Sequence, residues 1–306
     1  MVPGVALLLV LAAPSSPPTP RPPSFSAGLD MVNVTVTVRD EHGKLVTDLQ
    51  PEDFIVKEDG RPQVVEVFAR AHEPGQDDVL TLDLGMLLDT STSMLEQLKL
   101  SQEAATRFLE SVPRARELIT IFFDHEIRVS KYDSENQQGL FDRIHAAKGG
   151  GDTALYDAMA VYLSRVEGQT GRKVLVLFTD GEDSRSELSL PEVMQLLRSS
   201  RVSVYPICFP SFAPGSTRAV KSRAVLQQFA DLTGGSLFNP SQSRDLAAIY
   251  QKILDELGAQ YVLGYVSDNQ KADGKLRRLV VELSNRKELK VRHRTGYMAR
   301  PKEENR

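Results

Sequence analysis

Residues 80–93, LTLDLGMLLDTSTS, decide how this sequence is read. The first nine, Leu80 to Leu88, form a mostly apolar run of strand length. The last five, Asp89-Thr90-Ser91-Thr92-Ser93, turn abruptly to one acid and four hydroxyls. A continuous apolar run bounded by turn residues suits a strand covered on both faces of a sheet. Polar groups gathered where such a strand ends suit a ligand-binding loop, because open α/β sheets bind at the carboxyl ends of their strands.

Working outward, the pattern alternates between strands and helices. Residues 93–112 read as a helix, with Leu95, Leu98, Ala105, Phe108 and Leu109 at helical spacing. Residues 118–123 and 127–132 read as strands around Asp124-His125-Glu126. Helices are expected at 140–147, 153–166, 191–199, 220–232 and 245–257. Between them, 174–178 (VLVLF), 202–208 and the pair Leu237-Phe238 read as strands. Alternation of this kind predicts an α/β fold, a doubly wound and mainly parallel sheet, over residues 79–257.

The flanks read differently. In residues 30–72, Val32, Val34, Val36 and Val38 alternate with polar residues at the period of a half-buried strand. Asp59-Gly60 is a hairpin signal, flanked by Phe54-Ile55-Val56 and by residues 64–68. Strands are also expected at 260–266, 276–283 and 289–294. Neither flank has enough apolar residues to bury alone. The C-terminal β-segment, 259–299, is therefore expected to pack with 30–72 as one small β-domain.

Composition excludes several classes. Over 306 residues the formal net charge is −4, and no tract of Lys or Arg stands out, which argues against nucleic acid or anionic lipid as partner. Val5 to Ala13 (VALLLVLAA) is apolar but too short to span a bilayer, and Val10-Leu11-Ala12 suits signal peptidase. Residues 1–13 are thus expected to be a signal peptide, although Met1 to Gly4 lack the usual Lys or Arg. Residues 14–29, with six prolines between Pro14 and Pro23, read as an extended linker. A secreted, periplasmic or cell-surface location follows, with no stable membrane insertion after cleavage. Cys208, the only cysteine, lies in an apolar run and is expected to be a buried, inert thiol.

Three pieces carry the chemistry: Asp89-Thr90-Ser91-Thr92-Ser93 after the first strand, Gly149-Gly150-Gly151-Asp152-Thr153 before a helix, and Phe178-Thr179-Asp180-Gly181 after VLVLF. Each has an ordinary reading alone: a hydroxyl-rich turn, a flexible loop, an acid forming a turn. In this order, at strand and helix ends, they resemble the metal-ion-dependent adhesion site of von Willebrand factor type A and integrin I-type domains. The resemblance covers roughly residues 79–257. It implies a divalent cation, Mg²⁺ or Mn²⁺, with Ser91 and Ser93 as direct ligands. It also implies that Thr153 joins when a ligand engages, and that Asp89 and Asp180 act largely through waters. Hydroxyl oxygens suit a small hard cation. A coordination shell poor in charge leaves such a cation electrophilic towards a carboxylate. Asp152 reads first as the N-cap of the following helix and second as an anion near the metal. Glu182 and Asp183 are expected to face solvent at the rim.

The flanking stretches at 34–68, 260–269 (QYVLGYVSDN) and 291–299 (VRHRTGYMA) resemble a bacterial group of secreted von Willebrand A-related proteins. The matching residues include Tyr261, Leu263, Gly264 and Tyr265. The leading expectation is a non-enzymatic adhesion module whose partner is a protein presenting an acidic residue. A second is an assembly subunit of an envelope complex, whose associations would survive metal removal. A third is a metal-dependent hydrolase. It lacks an evident general base, since among the scattered histidines only His125 follows a strand near the motif.

Overall fold

The computed structural model describes residues 31–71, 82–112, 117–132, 137–169, 171–209, 213, 215–240 and 243–299. The expected leader and linker lie outside the described residues. The described residues begin with four strands, β1 (Met31–Arg39), β2 (Phe54–Glu58), β3 (Arg61–Gln63) and β4 (Val67–Arg70). The hairpin at Asp59-Gly60 forms, and both turn residues have positive φ, 48° and 82°, as a two-residue turn between right-twisted strands requires. Its returning strand, however, is β3 and not residues 64–68. Pro62 is tolerated because β3 lies at a sheet edge, and Val64 is 79% exposed. β4 leaves for the other sheet of the flanking unit.

The central layer follows, with β5 (Leu82–Asp89), α1 (Leu98–Ser111), β6 (Glu117–Phe123), β7 (Ile127–Tyr132), α2 (Gln137–Ala146) and α3 (Leu155–Arg165). It continues through β8 (Arg172–Thr179), α4 (Leu190–Ser199), β9 (Val202–Cys208), α5 (Thr217–Thr233) and α6 (Ser243–Gly258). The sheet order is β7-β6-β5-β8-β9, with only β7 antiparallel. Since β5 is followed by β6 on one side and β8 on the other, the strand order reverses at β5. Alternate side chains of β5 serve opposite faces. Leu84, Met86 and Leu88 pack with α1, α2 and α6, while Leu87 packs with α3, α4 and α5. Double-sided burial explains why LTLDLGMLL and VLVLF read as unbroken apolar runs.

The expected helices at 93–112 and 153–166 begin later than their patterns suggested. Residues Thr92–Met94 form a 3₁₀ turn, α1 starts at Leu98, and Leu95 is half exposed. Leu237-Phe238 contributes only one isolated bridge, from Phe238 to Ile207.

The chain closes with β10 (Tyr261–Val266), β11 (Leu276–Leu283), β12 (Lys290–His293) and β13 (Gly296–Met298). These interleave with the first four strands in two antiparallel sheets, β12-β1-β10-β4 and β13-β11-β2-β3. Val34, Val36, Val38, Phe54, Val56, Tyr261, Leu263, Leu279 and Val281 fill the space between them.

A buried ionic cluster joins this sandwich to the α/β layer. Glu256 of α6 is completely buried and accepts hydrogen bonds from Arg39 (2.8 Å) and the Tyr205 hydroxyl (2.9 Å). It also pairs with Arg292, whose Nε donates to the Gly234 carbonyl at the end of α5. Close by, Arg294 donates to the carbonyls of Gly296 (2.9 Å) and of Arg198 (3.2 Å), the latter at the end of α4.

Candidate functional site

The five residues singled out in sequence sit on three loops at the carboxyl-terminal edge of the central sheet. Asp89 ends β5, Asp180 follows β8, and Thr153 leads into α3. Backbone hydrogen bonds knit the loops together. Gly150 N–H donates to the Thr90 carbonyl (2.8 Å) and Thr92 N–H to the Gly151 carbonyl (2.9 Å). The Thr153 carbonyl accepts from Ser184 and Arg185, tying the glycine loop to the loop after β8.

Asp89 organises the first loop. Its Oδ1 accepts from the Ser91 N–H (2.9 Å) and the Ser91 hydroxyl (2.6 Å). Its Oδ2 accepts from the Thr179 hydroxyl (2.6 Å). With the Ser91 proton committed to Asp89, the oxygen's lone pairs remain for another partner, and Ser93 Oγ lies 3.2 Å away. Asp180 Oδ1 accepts from the Glu182 N–H. The Thr153 hydroxyl makes no hydrogen bond to a described residue. Burial pushes the Asp89 carboxyl up to about 7, and the like charge of Asp180 adds to it against the opposing hydrogen bonds from Ser91 and Thr179. No Lys, Arg or His pairs with Asp89 among the described residues.

This donor set fits a hard divalent cation. It offers two nearly buried carboxylates and three hydroxyls. Among the described residues no group of three or more His, Cys, Asp or Glu side chains gathers as a metal site, and here only two acids, Asp89 and Asp180, stand beside the hydroxyls.

Around the motif, Asp124 is the second organiser, and sequence reasoning passed it over. It accepts from the Thr90 hydroxyl (2.9 Å), the Glu126 N–H (2.8 Å) and Arg128, and its carbonyl accepts from Ala154 N–H. Burial alone would raise this carboxyl, yet Arg128 and the two hydrogen bonds hold it below the usual range. Thr179 was likewise missed as the residue that fixes Asp89. The T-D-G spelling was its only signal.

Residues 83–252 match the model of the von Willebrand factor type A domain. The chain belongs to that family. Among solved structures, the von Willebrand factor type A protein from Catenulispora acidiphila shares 11% identity. That match covers 92% of this chain and 76% of the other, at a TM-score of 0.50. The PilB minor pilin from Streptococcus sanguinis is 11% identical over 61% of this chain and 63% of its own, with a TM-score of 0.49. The von Willebrand domain of the pilus tip protein Mfa5 from Porphyromonas gingivalis gives 11%, 58%, 95% and 0.48 in the same order. At such identities the likeness concerns the fold alone. No curated protein sequence matches the chain.

Within this von Willebrand domain, three expectations about the rim need correction. Asp152 is exposed and does not cap α3; Ala154 occupies the cap position. The orphan N–H groups of Tyr156 and Asp157 are instead satisfied across the chain, by Ser186 Oγ (3.0 and 3.1 Å), with Asp183 also reaching Tyr156. Asp183 is therefore partly buried and not a solvent-facing acid, while Glu182 pairs with Arg218. Cys208 is only partly buried, beside the Asp180 carbonyl, and burial followed by the Asp180 charge pushes its thiol up to about 11.

His125 lies against Gly151, whose φ is +84° and whose added Cβ would come 2.3 Å from His125 Nδ1. We expect Gly151→Ala to cost about 1–2 kcal/mol, from left-handed backbone strain plus displacement of His125. Thermal melting checks this; an unchanged melting temperature would show that the loop adapts freely.

Proposed function

We propose that the von Willebrand layer holds one divalent cation, Mg²⁺ or Mn²⁺, at Asp89, Ser91, Ser93, Thr153 and Asp180. Through it the protein grips an acidic residue of a protein partner. The observation that carries this reading is the convergence at one sheet end of two buried carboxylates, one of them holding the proton of a ligand-type serine, with further hydroxyls beside it. When bound, the cation supplies a positive centre for a carboxylate. The chain's own residues set its surroundings. Asp89 orients Ser91, Thr179 orients Asp89, and the Asp124–Arg128 pair steadies Thr90 and the start of α3. The reading includes export, for which Val5 to Ala13 and the proline-rich stretch speak.

The test is an array of short peptides, each centred on one Glu, probed with the full-length protein in Mn²⁺ and in EDTA. Binding should need Mn²⁺ and vanish in the matched peptides carrying Gln. Peptides that bind equally with Gln would sink the carboxylate reading. Thr153→Ala should weaken peptide binding about 10-fold while costing at most about 1 kcal/mol of stability, because the N–H groups of α3 are met by Ser186 and Asp183. A Thr153→Ala protein that binds like wild type would remove that residue from the site.

A further inference from the structure

On the far side of the molecule from the metal loops, where the β-sandwich meets the end of α4, lies a cavity of about 100 Å³. Its lining includes Arg201, Arg294, Lys271, Asn33, Ser200 and Tyr297. Cations and donors dominate this lining, and no Asp or Glu belongs to it. The volume is about three times the share of one water molecule in the liquid. It is therefore too small for a drug-sized ligand and ample for a small ion with its oxygens.

Arg294 is the unusual member. It is 7% exposed, and it makes no ion pair with any described residue. Its Nε and Nη2 donate to backbone carbonyls, those of Gly296 and of the α4 terminus. The negative end of the α4 dipole offsets part of its charge. Its Nη1 makes no hydrogen bond to a described residue. A buried guanidinium ordinarily faces a carboxylate, because an unpaired charge away from water is costly. Buried Arg277, for contrast, has both Asp273 and Glu58 beside it, and Glu256 answers Arg39 and Arg292. Burial, and after it the Arg201 guanidinium, hold Arg294 down to about 10. The Arg201 guanidinium thus adds a second positive group beside Arg294.

We propose that this cavity is an anion site that takes a small oxyanion of phosphate size, held by Arg294 with Arg201 and Lys271. An oxyanion answers the planar donors of an arginine through charge-assisted hydrogen bonds. Asn33 of β1 and Tyr297 of β13 come from the sandwich, and Ser200 and Arg201 follow α4, so a bound ion would bridge the two units. The site is independent of the metal loops and stands or falls apart from them.

The experiment is calorimetric titration of inorganic phosphate into the full-length protein at fixed ionic strength, with chloride as the balancing ion. One saturable site per chain is expected. At phosphate ten times the Kd, the melting temperature should rise by about 3 °C. The Arg201→Ala/Lys271→Ala double variant leaves the buried Arg294 in place and should fold. It should bind phosphate at least 10-fold more weakly. Arg143→Ala/Lys148→Ala, at exposed cations elsewhere, should bind like wild type. Absence of saturable heat in the wild type would overturn the proposal. So would equal binding by the Arg201→Ala/Lys271→Ala variant, which would mark an unspecific salt effect.

Discussion

Replacing Asp89 with asparagine is expected to lower Mg²⁺ affinity about 100-fold while leaving the metal-free protein folded. The side-chain oxygen of asparagine still accepts from the Ser91 N–H and hydroxyl, which the carboxylate now receives at 2.9 and 2.6 Å. Its amide faces Thr179, whose hydroxyl can turn to accept. The substitution removes a fully buried carboxyl that no described Lys, Arg or His pairs with, so the metal-free protein should lose no more than about 1 kcal/mol. Calorimetry with Mg²⁺ and a melting curve in EDTA read the two effects separately. Undiminished Mg²⁺ binding by Asp89→Asn would remove the residue from the site. A collapse of the metal-free protein would make Asp89 structural first.

Glu256→Ala should lower stability by about 3–4 kcal/mol, the scale on which one partner of a buried ion pair is missed. For a chain of this size that is a fall in melting temperature of roughly 6–12 °C. The loss comes less from the attraction removed than from what is left behind. Arg292 and Arg39 would remain half-buried without their carboxylate, and the Tyr205 hydroxyl would lose its acceptor. Glu256 lies on α6, and its partners lie on β1, β12 and β9, so the sandwich should loosen from the α/β layer. Proteolysis between residues 258 and 261 would then precede global unfolding. A Glu256→Ala protein that melts within 2 °C of wild type would show that water replaces the carboxylate at little cost.

Much of the fold was legible because its signals are local. The unbroken apolar runs at β5 and β8 belong to strands covered on both faces, and the alternating valines of β1 to a strand half covered. The turn at Asp59-Gly60 also declared itself, because its positive φ values require such residues. Where the chain goes after the turn was not legible. Residues 64–68 are as apolar as a strand should be, but β3 takes Arg61 to Gln63 for a sheet edge where a proline is harmless. The acids after Asp180 were misread for the same reason. Asp183 looks like a rim charge until α3 is seen to start beside it, leaving an N–H that only another loop can reach. Thr179 and Glu256 act through neighbours distant in sequence, and Asp124 and Arg294 do so in part, through Thr90 and Arg198. Single-sequence patterns carry no information about such pairs.

The sandwich is built from both ends of the chain, and this has a consequence for how the protein is made. β1 pairs with β10, Met31 opposite Val266, and β2 pairs with β11, Phe54 opposite Leu283. At a synthesis rate of about 5–20 residues per second, the first strands emerge roughly 10–50 s before their partners exist. The whole α/β layer can form in that interval, while β1 waits with both edges open. An unpaired strand carrying Val34, Val36 and Val38 is a template for pairing with another nascent chain. Asn33, Thr35 and Arg39 interrupt that apolar run. In the finished protein they lie on a partly covered sheet face or at its border, and on an unpaired strand such polar residues oppose pairing with another chain. Asn33→Val/Thr35→Val should therefore cut the yield of newly made protein far more than it alters the stability of what does fold.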